Sequence, residues 1–281
     1  MEGKIKTGIQ GIAGSFHEMA ARKYFGEENL EVIECETFRK QFKALETFQC
    51  DQIVMAIENT LAGSILPNYA LLENFGYHIV GETYLSIDHY LMALPGQKIR
   101  DMEAVWSHPM ALLQCEDFLA DYPNLVTVEK RDTASSAKEI SDKQVKGVAS
   151  IGPVGAAERY GLEIYASRIQ THKLNFTRFL VISREESDNP LANKASVVLQ
   201  LADKPGALQH VLETFTLFEI NLSKIQSIPI IGKPYSYSFH FDMEWALGTD
   251  WKSAMTEASK KLISLRVLGA YERGNRSDLV E

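Results

Sequence analysis

Through the first 182 residues short apolar runs alternate with segments of helical periodicity, and this alternation constrains the fold more tightly than anything else in the chain. KIKTGIQG reads as a strand and HEMAARKYF as the helix after it; EVIEC, FRKQFKALETF and QIVMAIEN repeat the rhythm. A βαβαβ order predicts a largely parallel sheet with helices on both faces, its strands' carboxyl ends carrying loops free to take a ligand. Between Tyr77 and Leu94 the run HIVGETYLSIDHYLMAL has few breaks and reads as one or two long strands crossing into a second lobe. MEAVWSH, PMALLQCEDFLADY, LVTVEK, TASSAKEISDK, GVASIG and PVGAAERYG then alternate again, and TRFLVISR returns to the first lobe. The expectation is an α/β domain over 1–184 of two lobes around a cleft, one from about 1–80 and 175–184, the other from about 81–174.

The polar, aperiodic stretch REESDNPLANK marks a linker, placed at 185–194. Residues 195–281 then follow the order βαββαβ, from ASVVLQLAD to RVLGAYE, which is that of a ferredoxin-like α+β fold with both helices on one side of an antiparallel sheet. Tyr235, Tyr237, Phe239, Phe241 and Met243 alternate with Ser236, Ser238, His240 and Asp242, a period of two that predicts a strand burying one face. Its edge either pairs across a two-fold axis or is covered within the chain. The final RGNRSDLVE is polar and is expected to fray.

Charge narrows the function classes. The chain has 29 Lys and Arg against 37 Asp and Glu, a formal charge of −8, and no basic run, which argues against a nucleic-acid surface. Its longest apolar stretches are interrupted by Asp88, His89 or Lys204, short of the roughly 20 residues a membrane span needs. MEGKIKTGIQG places charges where a signal peptide needs an apolar core, so a cytoplasmic protein is expected. Cys35, Cys50 and Cys115 lack the paired short spacings of a disulfide scaffold or zinc site and read as buried, reduced thiols.

Several segments bring polar groups to strand ends. In GIQGIAGSFHE the glycines Gly8, Gly11 and Gly14 are spaced by three, which is neither a dinucleotide fingerprint nor a phosphate loop. The turn reads either as an anion site at a helix N-terminus or as a tight turn with Ser15 as N-cap and Glu18 closing a capping box. In IENTLAGSILPN the side chains of Glu58, Asn59, Thr60 and Ser64 reach the carboxyl edge of the sheet as loop caps or ligand contacts. His108-Pro109 and Asp132-Thr133 open helices, and N-capping is a sufficient reason for Asp132. In NFTRF, Arg178 beside Asn175 and Thr177 suits a carboxylate, with a solvated edge-strand arginine as the equal alternative. His17, His78, His89, His172, His210 and His240 form no metal spacing and read as surface or satisfied core residues, and no Ser/His/Asp, Cys/His or H-E-x-x-H arrangement stands out. Taken alone, the residues reach a bilobal binder of a small anion joined to a regulatory-looking α+β module, and no reaction.

In fixed order over nearly the whole chain, GIQGIAGSFHEMAA, AIENTLAGSILPNY, SHPMALLQC, DTASSA, SIGPVGAAERYGL, NFTRF, DKPGALQHVL and NLSKIQSIP resemble prephenate dehydratases with a C-terminal ACT domain, the Thr-Arg-Phe of NFTRF being the most specific element. The resemblance implies a periplasmic-binding-protein-like catalytic domain at 1–184 and a ferredoxin-like ACT regulatory domain at 195–281. It implies a carbon-oxygen lyase of phenylalanine biosynthesis that removes carbon dioxide and hydroxide from prephenate to give phenylpyruvate, using neither cofactor nor metal. Carried over, Thr177 assists hydroxyl departure by hydrogen bonding, Arg178 pairs with a substrate carboxylate or braces the site, Glu58 orients or acts as an acid, and Phe179 packs beneath. Ser15, Asn59, Thr60, Gly63, Ser64, Thr133, Ser135 and Asn175 carry over as substrate contacts. The ACT resemblance implies a homodimer or homotetramer in which Pro205, Gly206, Ala207 and Leu208 of one chain and Asn221, Leu222, Gln226 and Ser227 of another hold L-phenylalanine as a feedback inhibitor.

Two departures from the family pattern bear on this. Thr60 stands where serine is common and keeps the hydroxyl, whereas Gln226, Ser227, Ile228 and Pro229 stand where Glu-Ser-Arg-Pro is common, which removes both charges from the effector loop. The competing expectations are an arogenate dehydratase, performing the same elimination on the transaminated substrate, and a non-catalytic amino-acid-sensing protein.

Overall fold

The computed structural model describes residues 3–230, 232 and 236–276; Tyr235 of the alternating strand and the last five residues of the polar tail lie outside them. The elements run β1 (Ile5–Gln10), α1 (Phe16–Phe25), β2 (Leu30–Cys35), α2 (Phe38–Glu46), β3 (Gln52–Asn59), β4 (Gly63–Ser64), α3 (Leu66–Phe75), β5 (His78–Ser86), β6 (Tyr90–Ala93), β7 (Ala104–Ser107), α4 (Pro109–Gln114), α5 (Glu116–Ala120) and β8 (Val126–Glu129). They continue α6 (Thr133–Lys143), β9 (Val148–Gly152), α7 (Val154–Tyr160), β10 (Glu163–Ala166), β11 (Phe176–Ser183), β12 (Lys194–Gln200), α8 (Ala207–Leu217), β13 (Asn221–Pro229), β14 (Tyr237–Glu244), α9 (Trp251–Ser259) and β15 (Ser264–Tyr271).

Three sheets result. The first has the order β2-β1-β3-β11-β5, with β4 on β3, and β1 runs parallel to both β2 and β3. The second has the order β10-β6-β9-β7-β8, with β7 parallel to β8 and β9 and β6 antiparallel to β9 and β10. This is the mixed α/β, two-sheet arrangement expected of a bilobal chain. Central strands carry unbroken apolar text because both faces are covered: Ile53 to Ile57 of β3 and Phe179 to Ile182 of β11 are buried throughout. The apolar run after Tyr77 resolves into two strands in different sheets, β5 and β6, so the first lobe extends to Ser86 rather than ending near residue 80.

The third sheet, β13-β14-β12-β15, is antiparallel throughout and carries α8 and α9, giving the βαββαβ order with the ferredoxin-like strand sequence. Its core gathers Val197, Leu199, Phe215, Phe241 and Met243. The period of two predicts one buried face for β14, and both are buried. Ser238 and His240 bond Glu73 at 3.0 and 2.6 Å, and Lys194 lies 3.0 Å from Glu82, so residues 69–82 cover the polar face. β14 is an inner strand, which leaves β13 and β15 as the sheet's edges.

By contact the chain divides into one unit holding the described residues of Met1–Asn68, Thr83–Phe179 and Asn275–Glu281 and another of Tyr69–Glu82 and Leu180–Gly274. The expected linker at 185–194 falls inside the second unit. Cys35, Cys50 and Cys115 are buried and in no disulfide, and burial pushes Cys115 up to about 12. Among the described residues no helix is long and apolar enough to cross a membrane.

Candidate active site

A cavity of about 470 Å³ lies within the first unit, walled by the carboxyl ends of β1 and β3, the start of β11, and the starts of α1, α4 and α6. Gln10, Ser15, Phe16, His17, Asn59, Thr177 and Phe179 come from the first sheet's elements, and His108, Met110, Gln114, Asp132 and Thr133 from the second's, with Ile87 and His89 on the crossing between them. Strand alternation puts Thr177 and Phe179 on the cavity side and Arg178 on the other. Arg178 is 5% exposed, is absent from the lining, and holds its guanidinium 4.0 Å from Glu58.

The polar groups form a chain whose direction is set by the backbone. Asn59 Oδ1 accepts from the amides of Leu61 at 3.0 Å and Ala62 at 2.8 Å, so its nitrogen must turn the other way. That nitrogen turns its two hydrogens to three acceptors, Asn175 Oδ1 at 2.7 Å, Phe176 O at 3.1 Å and Thr177 Oγ1 at 3.0 Å, so that one hydrogen is shared. Asn175 passes the polarity on, donating to Gln114 Oε1 at 3.0 Å, and the same oxygen lies 3.0 Å from His89 Nε2. Neutral His89 therefore carries its hydrogen on Nε2, and burial, the main influence on it, lowers its pKa and holds it neutral. Two donors remain for a ligand: the Thr177 hydroxyl proton and the Gln114 amide hydrogens have no acceptor among the described residues.

Helix starts supply the other donors. The amides of Phe16 and His17, opening α1, and of Thr133 and Ala134, opening α6, bond to no described residue. Both helices exceed two turns, so each start presents free N–H groups and the positive end of a dipole. Ser15 does cap α1, accepting from Glu18 N, but Glu18 reaches back to Gly14 N rather than to its own N-cap. The capping turn and the open anion-binding amides thus coexist. Gly14 sits at φ 86, and a Cβ there would come within 3.0 Å of Ala156 Cα, so the turn's approach to α7 requires glycine.

His17 receives a 3.4 Å bond from Ala56 N and packs against Phe38 and Phe179; burial pushes it down to about 3, leaving a neutral ring in the wall. Ser15, Asn59, Thr133, Thr177 and Phe179 of the expected site residues line the cavity, and Asn175 touches it through Asn59 and Gln114. Glu58, Thr60, Gly63, Ser64, Ser135 and Arg178 do not line it. Thr60 pins the start of β11, its hydroxyl accepting from Phe176 N at 2.9 Å. Gly63 and Ser64 form the short strand opposite Asn59 and Glu58, and Ser135 closes the cap of Asp132.

Residues 7–187 match the family described as prephenate dehydratase. The chain belongs to the prephenate dehydratase family. It is 38% identical over 95% of its length to arogenate dehydratase 2 of Petunia hybrida, covering 72% of that protein. It is also 38% identical over 95% of its length to the chloroplastic arogenate dehydratase/prephenate dehydratase 2 of Arabidopsis thaliana, covering 73% of it. Among solved structures, the prephenate dehydratase of Arthrobacter aurescens in complex with L-Phe superposes with a TM-score of 0.86 at 26% identity, over 98% of this chain and 91% of that one.

Of the IENT and NFTRF motifs, Asn59, Thr177 and Phe179 meet in the cavity wall. Gln114, His17 and His89 were not legible as cavity residues. Gln114 is the one amide in the apolar helix PMALLQ, a weak signal, and His17 follows the capping serine by two residues.

In the second unit a smaller cavity of about 180 Å³ is lined by Leu201, Asp203, Lys204, Ala207, Leu208, Tyr237 and Phe239, among others. Ala207 and Leu208 of the expected effector residues are in it; Gly206, at φ 80, is the N-cap of α8, with Pro205 before it. Asn221, Leu222, Gln226 and Ser227 lie on the edge strand β13, where Gln226 Nε2 donates to Ser227 O at 2.9 Å.

Proposed function

We propose that the chain catalyses the decarboxylative elimination of hydroxide from prephenate, yielding phenylpyruvate, with arogenate as the alternative substrate. The observation that carries this reading is the Thr177 hydroxyl, whose oxygen is occupied by Asn59 and whose proton is left for the cavity. In the reaction the bond from the ring to its carboxylate breaks, its electron pair enters the ring, and the bond to the ring hydroxyl breaks on the far side. The products are carbon dioxide, hydroxide and the aromatic acid. Thr177 O–H donates to the departing oxygen; a threonine hydroxyl is far too weak an acid for full transfer near neutrality, so it stabilises developing charge by a preorganised hydrogen bond.

Prephenate carries two carboxylates, and the free amides at the starts of α1 and α6 give each a place without any lysine or arginine in the wall. Gln114 adds a neutral donor. Phe16, Phe38, Phe179 and Ile87 supply apolar surface suited to a carboxylate that leaves as neutral carbon dioxide. In this reading Arg178 and Glu58 brace the opposite side of β11, and Thr60, Gly63, Ser64 and Ser135 hold the loops that position Asn59 and Asp132.

Residues 195–281 are read as an ACT regulatory domain that binds L-phenylalanine in a homodimer or homotetramer. The βαββαβ order and the cavity at Ala207 and Leu208 support this, as does the L-Phe complex of the Arthrobacter protein. The reading places the protein in the cytoplasm, where cysteines outside disulfides stay reduced.

Purified protein incubated with prephenate, and in parallel with arogenate, tests the proposal, with phenylpyruvate followed by its absorbance in alkali, with and without L-phenylalanine, and phenylalanine formed from arogenate followed by chromatography. Product that falls when L-phenylalanine is added is the expected result. Absence of product from both prephenate and arogenate returns the chain to the amino-acid-sensing alternative.

A further inference from the structure

We propose that Asp132 is the residue that raises this cavity's preference for arogenate, which bears an ammonium group, relative to the keto acid prephenate. The inference rests on the reaction proposed above and concerns the one carbon at which the two substrates differ. Prephenate has a carbonyl there, with lone pairs and no hydrogen; arogenate has three N–H donors and a positive charge.

Among the residues that line the cavity, Asp132 is the one carboxylate, and no lysine or arginine lines it to offset the charge. Asp132 Oδ1 is committed to the cap of α6, accepting from Ser135 N at 2.6 Å, while its second oxygen has no partner among the described residues. Immediately beyond it stand the free amides of Thr133 and Ala134. The carboxylate and ammonium of an α-amino acid share one carbon, so amide donors next to a free carboxylate oxygen match that pair, the first taking the carboxylate and the second the ammonium. A keto acid in the same place sets carbonyl lone pairs against the aspartate, and its two carboxylates lack the ammonium that would offset their repulsion by it.

His89, 2% exposed in the same cavity wall, is held neutral by its burial and so sets no positive charge against an ammonium. Capping alone does not require aspartate at 132, since asparagine and serine cap a helix as well.

The test compares Asp132→Asn and Asp132→Ser with the parent chain, both substitutions keeping a good N-cap. Values of kcat/KM are measured for arogenate and prephenate, and dissociation constants for both are measured by calorimetry in a Thr177→Val background that does not turn over. The expected result is an arogenate-to-prephenate ratio that falls by at least about tenfold in both readouts, the scale of one screened charge pair, with prephenate held or improved. A ratio unchanged in both, or an equal loss for both substrates, overturns the assignment and leaves Asp132 as a cap. A shifted binding ratio without turnover of either substrate upholds Asp132 and overturns the reaction instead; binding of neither overturns both.

Discussion

The amide nitrogen of Asn59 donates to Thr177 Oγ1 at 3.0 Å, and the direction of that bond decides what the threonine offers a substrate. With its oxygen accepting from Asn59, Thr177 keeps its own proton for the departing hydroxyl. Thr177→Val preserves shape and removes the donor, so turnover is expected to fall by about 100-fold or more while prephenate still binds. Thr177→Ser is expected to retain most activity. Steady-state kinetics with calorimetric binding separates the two effects, and a valine variant with raised Kd but unchanged kcat contradicts the role.

Asn59→Asp keeps the acceptor for Leu61 and Ala62 and removes every donor. Asn175 Oδ1, Phe176 O and Thr177 Oγ1 then face a carboxylate, so a loss of about 1–3 kcal/mol is expected in urea unfolding, with lost turnover. Unchanged stability would mean that the chain of bonds is not formed in solution.

His17 makes stability depend on pH. Its native pKa of about 3 lies below the ordinary 6.5, so above pH 6.5 the ring is neutral in both states and contributes no slope. Below that the unfolded chain takes up a proton that the native ring refuses, and stability falls towards pH 3 by about 1.4 kcal/mol per unit. His17→Gln, which keeps an acceptor for Ala56 N, is expected to lose this slope. Unfolding midpoints measured at pH 7 and pH 5 check it, and parallel curves for variant and parent contradict it.

Gly269 approaches Ile79 so closely that a Cβ would lie 1.9 Å from the Ile79 carbonyl oxygen. Backbone cannot yield that far, and Gly269→Ala is expected to destabilise by more than about 4 kcal/mol. Gly161→Ala is the control: it has φ 64 but nothing within 4 Å of the added carbon, and it is expected to lose only about 1 kcal/mol. Thermal midpoints that fall equally for both contradict the close approach.

Lys194, 1% exposed, lies 3.0 Å from Glu82 and 3.2 Å from Glu244. Lys194→Met removes the cation shared by two buried carboxylates, leaving Glu244 with Arg273 at 3.3 Å and Glu82 with the Gly274 amide at 3.1 Å, and is expected to destabilise by about 3 kcal/mol. Adding Glu82→Gln is expected to recover part of the loss, and a double variant no more stable than the single one contradicts the pairing.

Much of this architecture was legible because periodicity and core burial report on the same positions. The βαβαβ rhythm, the return of β11 to the first sheet and the βαββαβ order were all readable from where apolar residues recur. The crossing was readable too, as one or two long strands passing between lobes, but its place at Ile87 to His89 was not, because only three residues separate two buried strands. Nor was the burial of Ser238 and His240: alternation marks them as solvent-facing, and only Glu73, 165 and 167 residues away, makes their burial possible.

Within the site, Thr177, Asn59, Ser15 and Thr133 were readable from motif and helix-start chemistry. Gln114 and His89 were not, since their role comes from bonds spanning 61 and 25 residues, whose direction is set by two backbone amides after Asn59. That Arg178 points away from Thr177's side of β11 was implicit in strand alternation.

The central claim is that Thr177 assists an elimination that couples carbon dioxide release to aromatisation. The most direct test measures carbon dioxide and phenylpyruvate together from prephenate, for the parent chain and for Thr177→Val. The account predicts one carbon dioxide per phenylpyruvate from the parent and less than about one hundredth of that rate from the variant. Equal rates from the two proteins would contradict it.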